Sequence, residues 1–199
     1  MHRLPRPMVL CALLLLFLAQ LGFAQKKEPE VTLNVGDEAP PFTLKDDLGN
    51  DWIAADHYGK KIIVVYFYPA DMTPGCTKQA CGFRDHLEEL QAEDVEVVGI
   101  SGDSVRNHQL FKKAHSLNFA LLADVDGEAA MKFGVPYFAG EHTVNAVIDG
   151  KEESLVRDIT THRWTFVIGK DKKIKLKNEQ VQAAQDSENI LNVVNQLQN

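Results

Sequence analysis

The sequence predicts an α/β protein, a sandwich in which helices pack on a mixed central sheet. Three observations predict it. β-branched and aromatic runs of strand length recur along the chain, amphipathic runs of helix length alternate with them, and two short apolar runs near the end flank a tight turn. Buried strands separated by helices pair in parallel through crossovers, whereas strands joined by a short turn pair antiparallel, so the sheet is mixed. A length of 199 residues, with 45% hydrophobic and 25% charged residues, fits a single ordinary globular domain.

In chain order, residues 1–24 read as an export signal. His2, Arg3 and Arg6 make a basic start, Met8 to Ala19 is unbroken apolar sequence, and Gly22-Phe23-Ala24 offers small residues for cleavage. The apolar run is shorter than the roughly 20 residues of a membrane span, so removal is favoured over an uncleaved anchor. Leu10 stands before Cys11 where a lipoprotein signal wants a small residue. Residues 25–34 are read as a polar linker and N-terminal extension, and the domain as residues 35–199. Lys61 to Tyr68 reads as a strand buried on both faces. Gly75 to Gln91 follows as a helix with Phe83, Leu87 and Leu90 on one stripe. Val95 to Ile100 is a second buried strand. Ser104 to Leu117 is a helix with Leu110, Ala114 and Leu117 as its apolar face, and Phe119 to Ala123 is a third strand. Tyr137 to Thr161 has no regular period and receives no assignment. Trp164 to Ile168 and Ile174 to Leu176 form a hairpin through Lys170-Asp171-Lys172, and Ser187 to Leu197 closes as a helix carrying Ile190, Val194 and Leu197.

A formal net charge of −7 with no basic stripe argues against nucleic acid as a partner. Three cysteines are too few for a disulfide scaffold. Cys11 leaves with the signal, so Cys76 and Cys81 remain. Thr73 suits the N-cap of the first helix and Pro74 its first position, which places Cys76 in the first turn. Free N–H groups and the positive helix end stabilise a thiolate there, making Cys76 a nucleophile; the alternative is a small buried hydrophobe. On an ideal helix, positions 76 and 81 are about 8.5 Å apart between Cα atoms, beyond the roughly 7 Å limit for a disulfide. Cys81 is therefore either a core residue or a partner that reaches Cys76 only when the first turns unwind. The spacing of Cys76, Cys81 and His86 matches no common zinc pattern. The other histidines, His57, His108, His115, His142 and His162, lack ligand spacing and are read as surface or structural, with His162 beside Arg163 the one to test.

At Pro69, Thr73 and Cys76 the sequence carries P-x-x-x-T-x-x-C, with Cys81 following. In this it resembles a peroxiredoxin of the PrxQ or bacterioferritin-comigratory-protein subfamily, within the alkyl hydroperoxide reductase/thiol-specific antioxidant superfamily. Gly36 to Pro40, Val97 to Asp103 and Arg163 to Ile168 extend the resemblance over most of the chain. It implies a thioredoxin-like three-layer sandwich and a thiol-dependent peroxidase of the thioredoxin-dependent type, an antioxidant needing no cofactor and no metal. It further implies that Cys76 becomes a sulfenic acid and that Cys81 resolves it as a transient disulfide. Thr73 and Arg163 would stabilise the thiolate and the peroxide oxygens, while Pro69 would shield the sulfenic acid. The implied partners are a peroxide and thioredoxin or an exported dithiol reductant. The implied form is a monomer or weak dimer outside the cytoplasm, not inserted in a membrane once the signal is removed. Two departures stand out: Gly140 to Thr161 is longer than the family segment, and Trp164 replaces a small polar residue. The rival readings are an exported thioredoxin-like thiol-disulfide oxidoreductase, which would need C-x-x-C, and a binding module with inert cysteines.

Overall fold

The structure, a computed structural model, describes residues 25–27 and 31–198; the export signal expected at residues 1–24 lies outside them. Among the described residues a seven-stranded sheet forms the centre. Its strands are β2 (Thr43–Asp46), β3 (Asp51–Ile53), β4 (Ile62–Phe67), β5 (Val95–Ser101), β6 (Ala120–Ala123), β9 (Trp164–Ile168) and β10 (Ile174–Asn178), in the order β10-β9-β4-β5-β6-β2-β3. β4, β5 and β6 are parallel, and β9, β10, β2 and β3 add antiparallel partners outside them. The expected mixed sheet is thus the one formed.

The continuous apolar run of β4 has the expected consequence. Ile63, Val65 and Phe67 enter the core on one face, while Ile62, Val64 and Tyr66 enter the core on the other. On the latter face lie α2 (Pro74–Asp85), α3 (Leu87–Ala92), α4 (Val105–His115) and α6 (Asp186–Gln198). On the former lie α1 (Ala54–His57) and α5 (Glu128–Lys132), which contributes Ala129 and Ala130. The result is three layers, helix, sheet and helix.

Four local readings are corrected. The helix expected over Gly75 to Gln91 is two, broken at His86, whose ψ of 6° leaves the helical range while Phe83, Leu87 and Leu90 all remain buried. α4 turns Asn107, His108 and Phe111 inward and leaves Ala114 exposed, with Leu110 half-buried and Leu117, past its end, buried, so polar residues share the face that the apolar stripe predicts. Leu197 is exposed although Ile190 and Val194 are buried. Of the residues read as linker, Gln25–Lys27 form strand β1, which pairs antiparallel with the start of the next sheet.

The unassigned segment is a long antiparallel hairpin, β7 (Tyr137–Ile148) and β8 (Lys151–Thr161), with β1 on its other edge. Its burial alternates mostly between exposed and half-buried, so neither strand has the fully buried face that marks a core strand. The hairpin is tied to the body at its base. Gly102 allows this approach, because a Cβ there would come within 2.2 Å of Ile159 O. Asn107 Nδ2 donates to Val156 O at 3.0 Å, and Thr161 Oγ1 donates to Tyr68 O at 2.9 Å. The second contact joins the end of β8 to the end of β4, where the candidate site begins. Among the described residues no helix is long and apolar enough to cross a membrane.

Candidate active site

The chain leaves β4, passes Tyr68 to Thr73, and enters α2 with Thr73 as N-cap and Pro74 at the first position, so Cys76 lies in the first turn as expected. Cys76 is 1% exposed. Arg163 reaches it from just before the neighbouring strand β9. The register pairs Phe67 with Trp164, which sets Arg163 beside the end of β4. Thr161 is bonded to Tyr68 O, and His162 N–H donates to Pro136 O, so the two residues before Arg163 are anchored. Arg163 Nη2 then donates to Cys76 Sγ at 3.2 Å. Lys177 lies over the Trp164 ring at 4.7 Å from its centroid, giving the unusual tryptophan a cation partner.

The other expected residues are placed differently from one another. Thr73 does not cap with its hydroxyl. That group donates to Ala70 O at 3.0 Å, and no side-chain cap bond forms. Pro69 is half-buried at the end of β4. Cys81 is half-buried on the same unbroken helix as Cys76, and both thiols are free. His86 Nδ1 lies 3.0 Å from Gly82 O and 3.1 Å from Ser187 Oγ, so its ring is occupied on the α6 side.

Two buried networks support this site, and neither was visible in the sequence. In the first, Gln79, one turn after Cys76, accepts a hydrogen bond from Arg163 Nη1 through Oε1 and donates through Nε2 to Asp186 Oδ2 at 2.7 Å. Thr165 Oγ1 donates to the same oxygen at 2.7 Å. Burial raises the Asp186 carboxyl above its usual range, against the opposing pull of Gln79, Thr165 and Arg163. The i, i+3 spacing from Cys76 to Gln79 was readable as one helix face; Asp186, over one hundred residues away, was not.

In the second network Asp71 accepts from Tyr68 Oη at 2.7 Å and lies 2.8 Å from His108 Nδ1, with both the aspartate and histidine side chains fully buried. Asp71 N–H donates to Asp103 Oδ2 at 2.9 Å. Ser101 Oγ and Asn107 Nδ2 donate to Asp103 at 3.0 Å each. Burial pushes the His108 imidazole down, but the charge and hydrogen bond of Asp71, with the charge of Asp103, outweigh it and hold the ring protonated above its usual range. Burial and the nearby Asp71 charge raise Asp103. This network braces a strained turn. Met72, between Asp71 and Thr73, has φ +61°, a left-handed conformation unfavourable for a side chain with a Cβ.

Comparison with known proteins agrees with the geometry. The AhpC/TSA family matches residues 35–177. A putative peroxiredoxin of Mycobacterium tuberculosis is 40% identical over 151 residues, covering 76% of this chain and 88% of that protein. Chloroplastic peroxiredoxin Q of Sedum lineare is 50% identical over 101 residues, 51% of this chain and 54% of its own. The chain therefore matches about half the length of that plant relative. The crystal structure of peroxidoxin BcpB from Mycobacterium tuberculosis aligns with TM-score 0.69 at 30% identity, over 83% of this chain and 99% of that one. The PrxQ structure from Xylella fastidiosa aligns with TM-score 0.70 at 24% identity, over 85% and 99%, a likeness of fold. With the P-x-x-x-T-x-x-C loop, the Arg163 contact and these relatives in view, the chain belongs to the AhpC/TSA family, among peroxiredoxins of the peroxiredoxin Q and bcp kind.

Proposed function

We propose that the protein is a thiol peroxidase that reduces hydrogen peroxide and organic hydroperoxides with Cys76. The observation that carries this reading is the hydrogen bond from Arg163 Nη2 to Cys76 Sγ in the first turn of α2. Arg163 and the N–H groups of the first helical turn set positive charge and donors around the sulfur that has to attack. The thiolate attacks one peroxide oxygen and the O–O bond breaks. Cys76 becomes a sulfenic acid, and the other oxygen leaves with a proton as water or an alcohol. Arg163 is a fixed donor to the negative charge that builds on the oxygens. Thr73 would need to turn its hydroxyl from Ala70 O to donate to them, since one hydroxyl has one proton. Pro69, half-buried beside the loop, limits water around the sulfur.

Cys81 then attacks the Cys76 sulfur, the S–O bond breaks, and hydroxide leaves with the Cys81 proton as water. With both residues on α2, which runs unbroken to Asp85, closure requires its first turns to unwind. An external dithiol, thioredoxin or an exported counterpart, reduces the disulfide and is itself oxidised. The basic start and apolar run of residues 1–24 support export to an extracytoplasmic compartment. The five-residue spacing of the cysteines counts against a thiol-disulfide oxidoreductase of the C-x-x-C type.

Stopped-flow mixing with hydrogen peroxide should consume the Cys76 thiol at least about 100-fold faster than a free thiol, the minimum expected from preorganised donors. Cys81→Ser should react equally fast and stop at a sulfenic acid that dimedone labels. A wild-type rate equal to that of free cysteine would refute the peroxidase reading, and full turnover by Cys81→Ser would remove Cys81 from the cycle.

A further inference from the structure

Gln79 is held between two groups of opposite hydrogen-bonding character. The Arg163 guanidinium can only donate, and an ionised Asp186 can only accept. An amide between them satisfies both in one orientation, oxygen toward Arg163 and nitrogen toward Asp186, and the reverse would set like against like at both ends. Asp186 therefore determines which way Gln79 faces, and Gln79 in turn holds the guanidinium whose other nitrogen donates to Cys76 Sγ.

A second observation separates this carboxylate from ordinary helix capping. Asp186 is 1% exposed, and its Oδ1 is buried with no hydrogen-bond partner among the described residues. An unsatisfied buried carboxylate oxygen is costly, and an apolar residue of similar volume would pack there without that cost. The bonds the group does make, to Gln79 and Thr165, run through Oδ2 and lead toward the site. The start of α6 also clamps α2 one turn further on. A Cβ at Gly82 would stand 2.7 Å from Ser187 Oγ, so the two helices meet closely there.

Resting on the peroxidase reading, we propose that Asp186 is a positioning residue for Cys76, acting through Gln79 and Arg163 in a relay that must break when the Cys76–Cys81 disulfide forms. Gln79 lies between the two cysteines, in the segment that has to unwind for the sulfurs to meet. The relay thus favours the peroxide step and opposes the resolving step, and cutting it moves the two rates in opposite directions.

The test is rapid-mixing kinetics on the full chain with one equivalent of hydrogen peroxide. The first phase reports loss of the Cys76 thiol and the second the decay of the sulfenic acid into disulfide. Asp186→Ala should slow the first about tenfold, the loss of one hydrogen bond in a charged network, and accelerate the second several-fold. Asp186→Asn, whose carbonyl still accepts from Gln79 and Thr165, should restore the first phase to near the wild-type rate. Both phases unchanged, or both slowed together as in general destabilisation, would overturn the proposal. Should Asp186→Ala fold poorly, Gln79→Leu cuts the relay at its middle and should show the same opposed changes; parallel changes there also overturn it. A wild-type Cys76 no faster than free cysteine would instead reject the peroxidase reading, an outcome read before any relay variant is made.

Discussion

Arg163→Met should lower the second-order rate of Cys76 with hydrogen peroxide by about 100- to 1,000-fold, as does removal of a preorganised donor from an oxyanion site. Methionine keeps the length and the apolar stem of arginine but offers no donor. Three things change together. The Cys76 sulfur loses its guanidinium donor, the departing peroxide oxygen loses a fixed N–H, and Gln79 Oε1 loses its donor. Arg163→Lys should fall between, because an ammonium is a point charge that cannot hold the sulfur and the amide in the same fork. The loss should appear in the thiol-consumption phase at saturating reductant, with the fold retained by circular dichroism. A rate within threefold of wild type would show that the helix terminus alone activates the thiol.

His108→Leu should destabilise the protein by about 3 kcal/mol, the usual result of removing one partner from a buried ion pair. The pair is Asp71 and His108, both fully buried, and the variant leaves the Asp71 carboxylate with Tyr68 as its remaining side-chain donor. The pH dependence distinguishes this from a simple packing defect. The native imidazole holds its proton above the usual histidine range, so over the interval from about 6.5 to the folded-state value the native state binds more protons than the unfolded state. Unfolding free energy should therefore be fully supported by this pair below about pH 6.5, then fall as pH rises, with a slope of up to about 1.4 kcal/mol per pH unit. Asp71, Asp103 and Tyr68 are the titratable groups facing the ring. Urea titrations across pH 6 to 9 should show that slope in wild type and its loss in His108→Leu. Equal slopes would mean that His108 is neutral in the folded protein. Because Asp71 precedes the strained Met72 and the Thr73 cap, the variant should also slow the reaction of Cys76.

The sequence by itself determined the layered α/β architecture, because a strand buried on both faces must be apolar throughout and β4 is. It also placed the candidate nucleophile. Thr73 to Cys76 is one four-residue stretch, and helix-start chemistry is local, so the first turn could be written down from residue types alone. Arg163 was accessible only through the family resemblance, since nothing in its neighbours distinguishes it from a surface arginine. The hairpin over Tyr137 to Thr161 escaped assignment because it is largely solvated, and solvated strands need no hydrophobic period.

Tertiary structure alone decided the rest. The sequence left open whether His108 is surface or structural, and it did not place Asn107 and His108 on the buried face of α4, for one reason: an amphipathic stripe registers apolar area and cannot register a buried aspartate near the helix start. Asp71, Asp103 and His108 come together through β4, β5 and α4, and Gln79, Arg163 and Asp186 through α2, β9 and α6. Hydrogen-bond partners buried by chain crossover leave no periodicity behind. What the sequence determined is the place of Cys76 at a helix start; what the fold decided is the pair of polar networks around it.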